Sequence, residues 1–90
     1  MVAEKPTVAL VLIKTQLGTA KQVADAAAEL DRVLWTMVVT GPYDVVAAVK
    51  VPDNETLGDT VIGQIQKIDG ISNPTTLVGV HINKGVDPFP

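Results

Sequence analysis

The chain alternates between short aliphatic runs and longer polar stretches in which apolar residues recur every three or four positions. The short runs are rich in Val and Ile and are typical of β-strands, whereas the wider spacing is typical of amphipathic helices. Four strands are predicted in this way, at residues 7–15, 33–40, 43–51 and 73–82. Two helices are predicted between them, at residues 19–31 and 55–68. The order βαββαβ indicates a ferredoxin-like α+β fold, in which right-handed crossovers place both helices on one face of a four-stranded antiparallel sheet.

Residues with special backbone preferences mark where these elements begin and end. Thr19 is expected to cap the first helix and Asn54 the second, because short polar side chains can accept the first free backbone N–H groups of a helix. Gly70 is expected to end the second helix in a left-handed conformation. Only Gly41 and Pro42 separate the second strand from the third, which predicts an antiparallel hairpin.

The predicted strands lack the alternation of apolar and polar residues expected of a sheet that has one face in water. Val8, Leu10 and Leu12 point one way in the first strand, and the residues between them are equally aliphatic. One face of the second strand is expected to carry Val33, Trp35, Met37 and Val39. Both faces of the sheet are therefore apolar.

Two helices can cover only one of these faces, so the other requires a partner. Four strands of aliphatic surface would exceed the few hundred Å² of apolar patch that soluble monomers usually expose. Burial of about 500 Å² per subunit is worth on the order of 10 kcal/mol before the costs of association. The eight residues after position 82 are too few to cover this face. We therefore expect a homodimer joined sheet to sheet that assembles further into a ring.

Length and composition limit the classes of protein. Ninety residues make one small domain, and a hydrophobic content of 47% is too high for a disordered chain. The longest uncharged apolar run, Val8–Ile13, is much shorter than the ~20 residues needed to span a bilayer. No basic segment precedes it, as one would in a signal peptide. We expect no contact with a membrane.

The charges and the lack of cysteine exclude further classes. The net charge is −3, and one arginine and six lysines are scattered singly, whereas a nucleic-acid backbone requires a clustered basic face. Direct nucleic-acid binding is therefore not expected. The absence of cysteine excludes a disulfide framework and a cysteine nucleophile, and fits a cytoplasmic location. No metal-ligand spacing or glycine-rich phosphate loop appears, so we predict no cofactor.

The candidate binding residues surround the predicted hairpin, TGPYD, at residues 40–44. A free amino acid needs an acceptor for its ammonium group, which Asp44 can supply, and donors for its carboxylate, which the backbone N–H groups of Gly41 and Tyr43 can supply. Additional hydroxyl groups for this pocket are expected from Thr40, Thr75 and Thr76. The alternative is structural, because Gly-Pro is ordinary turn chemistry and Asp often accepts local backbone N–H groups.

From about Val8 to Val80 the chain resembles the effector-binding domain of the Lrp/AsnC family, also called the RAM domain. The most specific similarities are the hairpin at residues 40–44, the helix exit IDGI at residues 68–71, and TTL at residues 75–77. The resemblance implies a dimeric α+β barrel that assembles into rings and binds small effectors, typically amino acids, at the seam between dimers. It also implies that Gly41, Tyr43 and Asp44 match the family's ligand-contacting hairpin, with the threonines as a weaker match.

Full-length members of that family carry a DNA-binding helix-turn-helix ahead of this domain. Here we expect a stand-alone ligand-binding domain at residues 7–82, with a lead-in at residues 1–6 and a tail at residues 83–90. The resemblance thus implies a non-catalytic homo-oligomer that senses an amino acid or similar small molecule and modulates transcription through a full-length regulator.

Two other functions remain open at this point. Small dimeric α+β barrels also include monooxygenases and isomerases, and such an enzyme would direct His81, Trp35 or Tyr43 into a cavity between sheet and helices. The third alternative is a purely structural oligomer that binds no ligand.

Overall fold

A computed structural model describes residues 6–80 of the chain and confirms the order βαββαβ. The strands are β1 (Thr7–Thr15), β2 (Val33–Val38), β3 (Val45–Val51) and β4 (Ile71–Val78). The helices are α1 (Ala20–Ala28) and α2 (Asn54–Gly63), and α2 is followed by a 3₁₀ turn at Ile65–Lys67.

The four strands form one antiparallel sheet in the order β2-β3-β1-β4, as in the ferredoxin-like fold. The sequence-adjacent β2 and β3 pair directly, and the two helical crossovers bring β1 between β3 and β4. Val11, at the centre of β1, lies opposite Ala47 of β3 and Thr76 of β4. Residues opposite each other in such a ladder share a face of the sheet, so these pairs define the two faces.

The core lies between the sheet and the helices. α1 packs on β2 and β3, and α2 packs on β3 and β1. Small side chains let α1 approach closely, since Ala24 and Ala27 are buried and the Thr36 hydroxyl donates to the Ala24 carbonyl at 2.9 Å. The largest fully buried side chains are Ile13, Ile65, Val11, Val23, Val45, Val49 and Val51.

The opposite side of the sheet, which we call the open face, carries a second apolar surface. One row across the four strands consists of Trp35, Ala48, Leu10 and Leu77. A second row consists of Met37, Val46, Leu12 and Thr75. The prediction of two apolar faces is thus confirmed for the sheet itself.

Several local predictions need correction. A register shift between Val33 and Trp35 places Val33 with the buried Val49, so Val33 belongs to the core and not to the face of Trp35 and Met37. Strand β2 also ends earlier than predicted and β3 begins later, which leaves residues 39–44 as the connection. The predicted strand at 73–82 begins at Ile71 and ends at Val78, and its last two residues lie outside the described residues.

The helix caps also differ from prediction. Asp53, not Asn54, caps α2, since its carboxylate accepts the Thr56 N–H at 2.7 Å. Thr19 stands at the start of α1 but its hydroxyl donates to the Gln16 carbonyl instead of accepting from the helix. α2 stops at Gly63, and the polypeptide reaches β4 through the 3₁₀ turn and Gly70, whose φ of 98° is the predicted positive value.

Candidate functional site

The connection between β2 and β3 is held by two backbone hydrogen bonds, one within the connection and one to β1. The Val39 N–H donates to the Asp44 carbonyl at 2.8 Å, and the Asp44 N–H donates to the Ile13 carbonyl at 2.9 Å. Gly41 has a φ of 137°, and a Cβ there would meet no atom within 4 Å. Backbone conformation therefore requires this glycine, while the space around it is open to another molecule.

The Asp44 side chain has a structural role that the sequence offered only as an alternative. Its Oδ2 accepts the backbone N–H of Thr15, the last residue of β1, at 2.9 Å. A carboxylate has two oxygens and about four lone-pair sites, so this bond leaves Oδ1 as an acceptor for a further donor. Asp44 can hold the hairpin and also contact a cation.

Tyr43 and Thr75 are brought together by the sheet. The two hydroxyl oxygens are 3.4 Å apart, which is long for an O–H···O bond and indicates a weak contact. Because β1 lies between β3 and β4, the Tyr43 side chain crosses β1 to reach Thr75. Thr75 faces Leu12 on the open face, so the Tyr43 hydroxyl lies on that face as well.

The structure separates the remaining predicted residues. Thr40 and Gly41 are exposed in the hairpin. Thr76, in contrast, faces Val11 on the helix side and lines an apolar groove of about 320 Å³ between α2 and β4. The hairpin residues and Thr75 can contribute to one site, whereas Thr76 lies on the other side of the sheet.

A second loop lies beside the hairpin and was not singled out from the sequence. Gln16 donates its N–H to the Gly70 carbonyl at 2.8 Å, and the neighbouring Thr15 is the residue that binds Asp44. Leu17 in this loop is a fully exposed large apolar side chain. The only sequence signal was a leucine next to a turn glycine, in the segment QLG at residues 16–18.

The aromatic residues proposed for an enzymatic pocket do not lie between sheet and helices. Trp35 faces Ala48 and Tyr43 contacts Thr75, both on the open face. His81 lies outside the described residues. Within residues 6–80, no group of three or more His, Cys, Asp or Glu side chains is placed to hold a metal ion. None of the helices in this range is long and apolar enough to cross a membrane.

A comparison with protein families identifies the domain. The model of the Lrp/AsnC ligand binding domain matches residues 8–83. The chain belongs to the Lrp/AsnC ligand-binding domain family. The hairpin, the helix exit and the strand that suggested this resemblance all lie within the matched range.

Several solved structures share the fold of this chain. TTHA0845 from Thermus thermophilus is 35% identical, with a TM-score of 0.81, and the match covers 87% of this chain and 98% of that one. E. coli AsnC is 21% identical with a TM-score of 0.83, and the match covers 93% of this chain but 57% of AsnC. The regulator NMB0573 from Neisseria meningitidis, crystallised in complex with L-Met, is 15% identical, with a TM-score of 0.79 and coverage of 93% and 56%. No curated protein matches the chain.

Proposed function

We propose that this Lrp/AsnC ligand-binding domain is a non-catalytic homo-oligomer that binds an amino acid beside Asp44 and modulates transcription through a full-length regulator of the family. Family membership supports effector binding in transcription regulation. The chain spans slightly more than half of the length of E. coli AsnC. The cytoplasm is the corresponding location.

The observation that carries the proposal is the position of the Asp44 carboxylate. The Thr15 N–H fixes Oδ2 at 2.9 Å, so the carboxylate is already oriented before any ligand arrives. A preorganised acceptor binds an ammonium group without the cost of ordering its own side chain. Gly41 lies in the same hairpin, and the space around its Cα is open.

The open face supports the oligomeric part of the proposal. Leu10, Trp35 and Leu77 share one row of this face, and neither helix packs on it. A second copy would cover this surface with an identical one, which is the geometry of a two-fold dimer. Tyr43 reaches onto the same face, so ligand site and dimer would adjoin there.

The enzyme alternative loses support from the positions of Trp35 and Tyr43. An oxidative or isomerising pocket between sheet and helices would require such side chains on the helix side. Thr76 and Val78 are the β4 residues that line the groove on that side, and neither is a general acid or base.

A thermal-shift measurement with each of the common amino acids tests the proposal. A ligand present at 100 times its Kd stabilises a protein by about 2.7 kcal/mol, which for a domain of this size raises Tm by roughly 10 °C or more. If no amino acid raises Tm, amino-acid sensing is wrong and a structural oligomer is the better interpretation.

The variant Asp44→Asn tests the residue itself. An amide oxygen can still accept the Thr15 N–H, so the hairpin stays anchored while the negative charge is removed. We expect at least a tenfold loss of affinity, because a charge-assisted bond to the ammonium group becomes a neutral one. Asp25→Asn on the exposed side of α1 is the matched control and should bind like wild type. Equal affinities in both variants would remove Asp44 from the site.

Binding to a regulator is tested by mixing the tagged chain with a full-length Lrp/AsnC protein from the same source. Recovery of both proteins in one complex supports a heteromeric partnership. Recovery of self-assembled chains alone contradicts the regulatory part of the proposal and leaves ligand binding intact.

A further inference from the structure

The sheet carries very little charge. Lys14 in β1 and Lys50 in β3 are the only charged residues of the four strands. Both belong to the open face, since Lys14 alternates in step with Leu10 and Leu12, and Lys50 lies opposite Val8. They stand at opposite ends of this face, and the end with Lys14 is the one that carries the hairpin. Lys14 is therefore the cation of the sheet that lies beside the candidate site.

Asp44 lies directly across from Lys14. The Asp44 N–H donates to the Ile13 carbonyl at 2.9 Å, and Oδ2 of Asp44 accepts the Thr15 N–H at 2.9 Å. The two bonds thus go to the residues on either side of Lys14. They extend the β1–β3 ladder by one position beyond its last regular pair, Ile13 and Val45. Opposite residues in an antiparallel ladder have their Cβ atoms about 4.5–5.5 Å apart, so the two side chains of opposite charge are neighbours.

Two hydroxyl groups lie near Lys14. Thr75 faces Leu12, and Lys14 is the next open-face residue along β1, which makes Thr75 its diagonal neighbour. The Tyr43 hydroxyl reaches the same place, with its oxygen 3.4 Å from that of Thr75. An ammonium group and two hydroxyl groups can all donate hydrogen bonds, which is what a carboxylate requires. Asp44 supplies the acceptor of opposite charge.

We infer that Lys14 binds the carboxylate of the amino acid whose ammonium group is held by Asp44, an inference that rests on the function proposed above. An α-amino acid carries both charged groups on one carbon atom, so the two protein charges that bind them must lie close together. Opposite residues of neighbouring strands meet this requirement. Lys14 thereby selects ligands with a free carboxylate, whereas an amino acid amide would contact Asp44 alone.

A direct ion pair between Lys14 and Asp44 does not compete strongly with this role. Lys14 is exposed and Asp44 is half-buried, and an ion pair in contact with water contributes little to stability. Its replacement by a bound zwitterion therefore costs little, and each protein charge keeps a partner of opposite sign. The lysine ammonium group stands on a flexible four-carbon stem, so it can turn from Asp44 to a ligand.

Paired ligands test this assignment on the full chain. Calorimetry measures binding of each common L-amino acid beside its C-terminal amide, at about pH 6, where both ligands keep a charged ammonium group. The amide has the same side chain but lacks the negative charge. We expect wild type to prefer the acid over the amide at least tenfold, because only the acid contacts Lys14 through a charge-assisted bond. If no amino acid binds to wild type, the proposed function fails and this inference fails with it.

Variants of the two lysines decide whether Lys14 is responsible. Lys14→Gln keeps a hydrogen-bond donor but removes the charge. We expect its affinity for the acid to fall at least tenfold and its affinity for the amide to stay unchanged. Lys50→Gln, at the other end of the same face, is the matched control and should keep the wild-type preference. Asp44→Asn should weaken both ligands equally, because both carry the ammonium group.

Two results would overturn the inference while leaving amino-acid binding at Asp44 intact. One is a Lys14→Gln protein that prefers the acid as strongly as wild type does. The other is an equal change of acid and amide affinities in Lys14→Gln, which would show that Lys14 acts only through its effect on Asp44.

Discussion

Single side chains decide where the elements of this domain begin, and Asp53 at the start of α2 is the clearest example. Its backbone is extended, with φ −157° and ψ 172°, and its carboxylate accepts the Thr56 N–H at the first turn of α2. This hydrogen bond, with a contribution from the positive charge of Arg32, holds the pKa of Asp53 below its usual value. The charged form of Asp53 therefore stabilises the folded state.

The pH dependence of stability should reveal this contribution. Because the pKa is lowered in the folded state, the stabilisation is present above about pH 4 and is lost as the pH falls further. Asp53→Asn keeps a capping oxygen but cannot titrate. We expect wild type to have a higher Tm than Asp53→Asn at pH 7, and the difference to shrink steadily as the pH falls from about 4 to about 2.

Asp53→Ala, which removes the cap altogether, should have the lowest Tm of the three proteins at pH 7. Asp59→Asn, on the exposed side of α2, is the control for general loss of negative charge. A wild-type advantage that is independent of pH would show that the Asp53 charge does not stabilise the helix.

At this scale the sequence is least informative. Asp53 and Asn54 are adjacent and both are good caps, so only the position of the first helical turn distinguishes them. The hairpin was found because glycine and proline have strong local preferences. The side-chain contacts of the hairpin were not predicted, because Thr15 is 29 residues from Asp44 and Thr75 is 32 residues from Tyr43. Such pairings depend on strand register, which local patterns do not fix.

At the scale of elements, the alanine-rich face of α1 determines how closely the helix approaches the sheet. Val23, Ala24 and Ala27 are buried, and their spacing places them on one face of the helix that was predicted at residues 19–31. Helical periodicity predicted this face correctly because α1 follows an undisturbed period of 3.6 residues. The same kind of reasoning failed for β2, where the irregular pairing between Val33 and Trp35 reverses the faces that strict alternation assigns.

Enlarging a buried alanine should separate α1 from the sheet. Ala27 is fully buried, and Ala27→Leu adds an isopropyl group where the helix meets β2 and β3. Overpacking of this kind costs about 1–3 kcal/mol, which would lower Tm by roughly 5–20 °C in a domain of this size.

Ala26→Leu, one position along on the exposed side, is a matched control because both substitutions change helix propensity equally. Thermal unfolding of the two variants provides the measurement. Similar Tm values would mean that α1 can shift away from the sheet without loss of stability.

For the molecule as a whole, the apolar content of the strands was the strongest sequence signal. Both alternating sets of β1 are aliphatic, and the structure assigns one set to the core and the other to the open face. The order of elements followed from lengths and breakers alone, because short strands that alternate with helices leave few sheet topologies. The groove between α2 and β4 could not be predicted from the sequence. Its position depends on the residue at which α2 ends and on which strand of the sheet α2 does not cover.

Assembly through the open face can be tested with two neighbouring residues of β2. Met37 and Val38 are both 52% exposed, but Met37 faces Val46 on the open face and Val38 faces Val45 on the helix side. Met37→Lys would place a charge in an aliphatic contact, twice in each two-fold dimer, and an unpaired buried ammonium group is costly. We expect sedimentation to show at least a tenfold weaker self-association for Met37→Lys and none of this loss for Val38→Lys. Because the two residues share a strand and an exposure, any general effect of an added lysine appears in both variants and cancels. Equal weakening would mean that the copies do not meet through this face, whereas weakening by Val38→Lys alone would place the contact on the helix side.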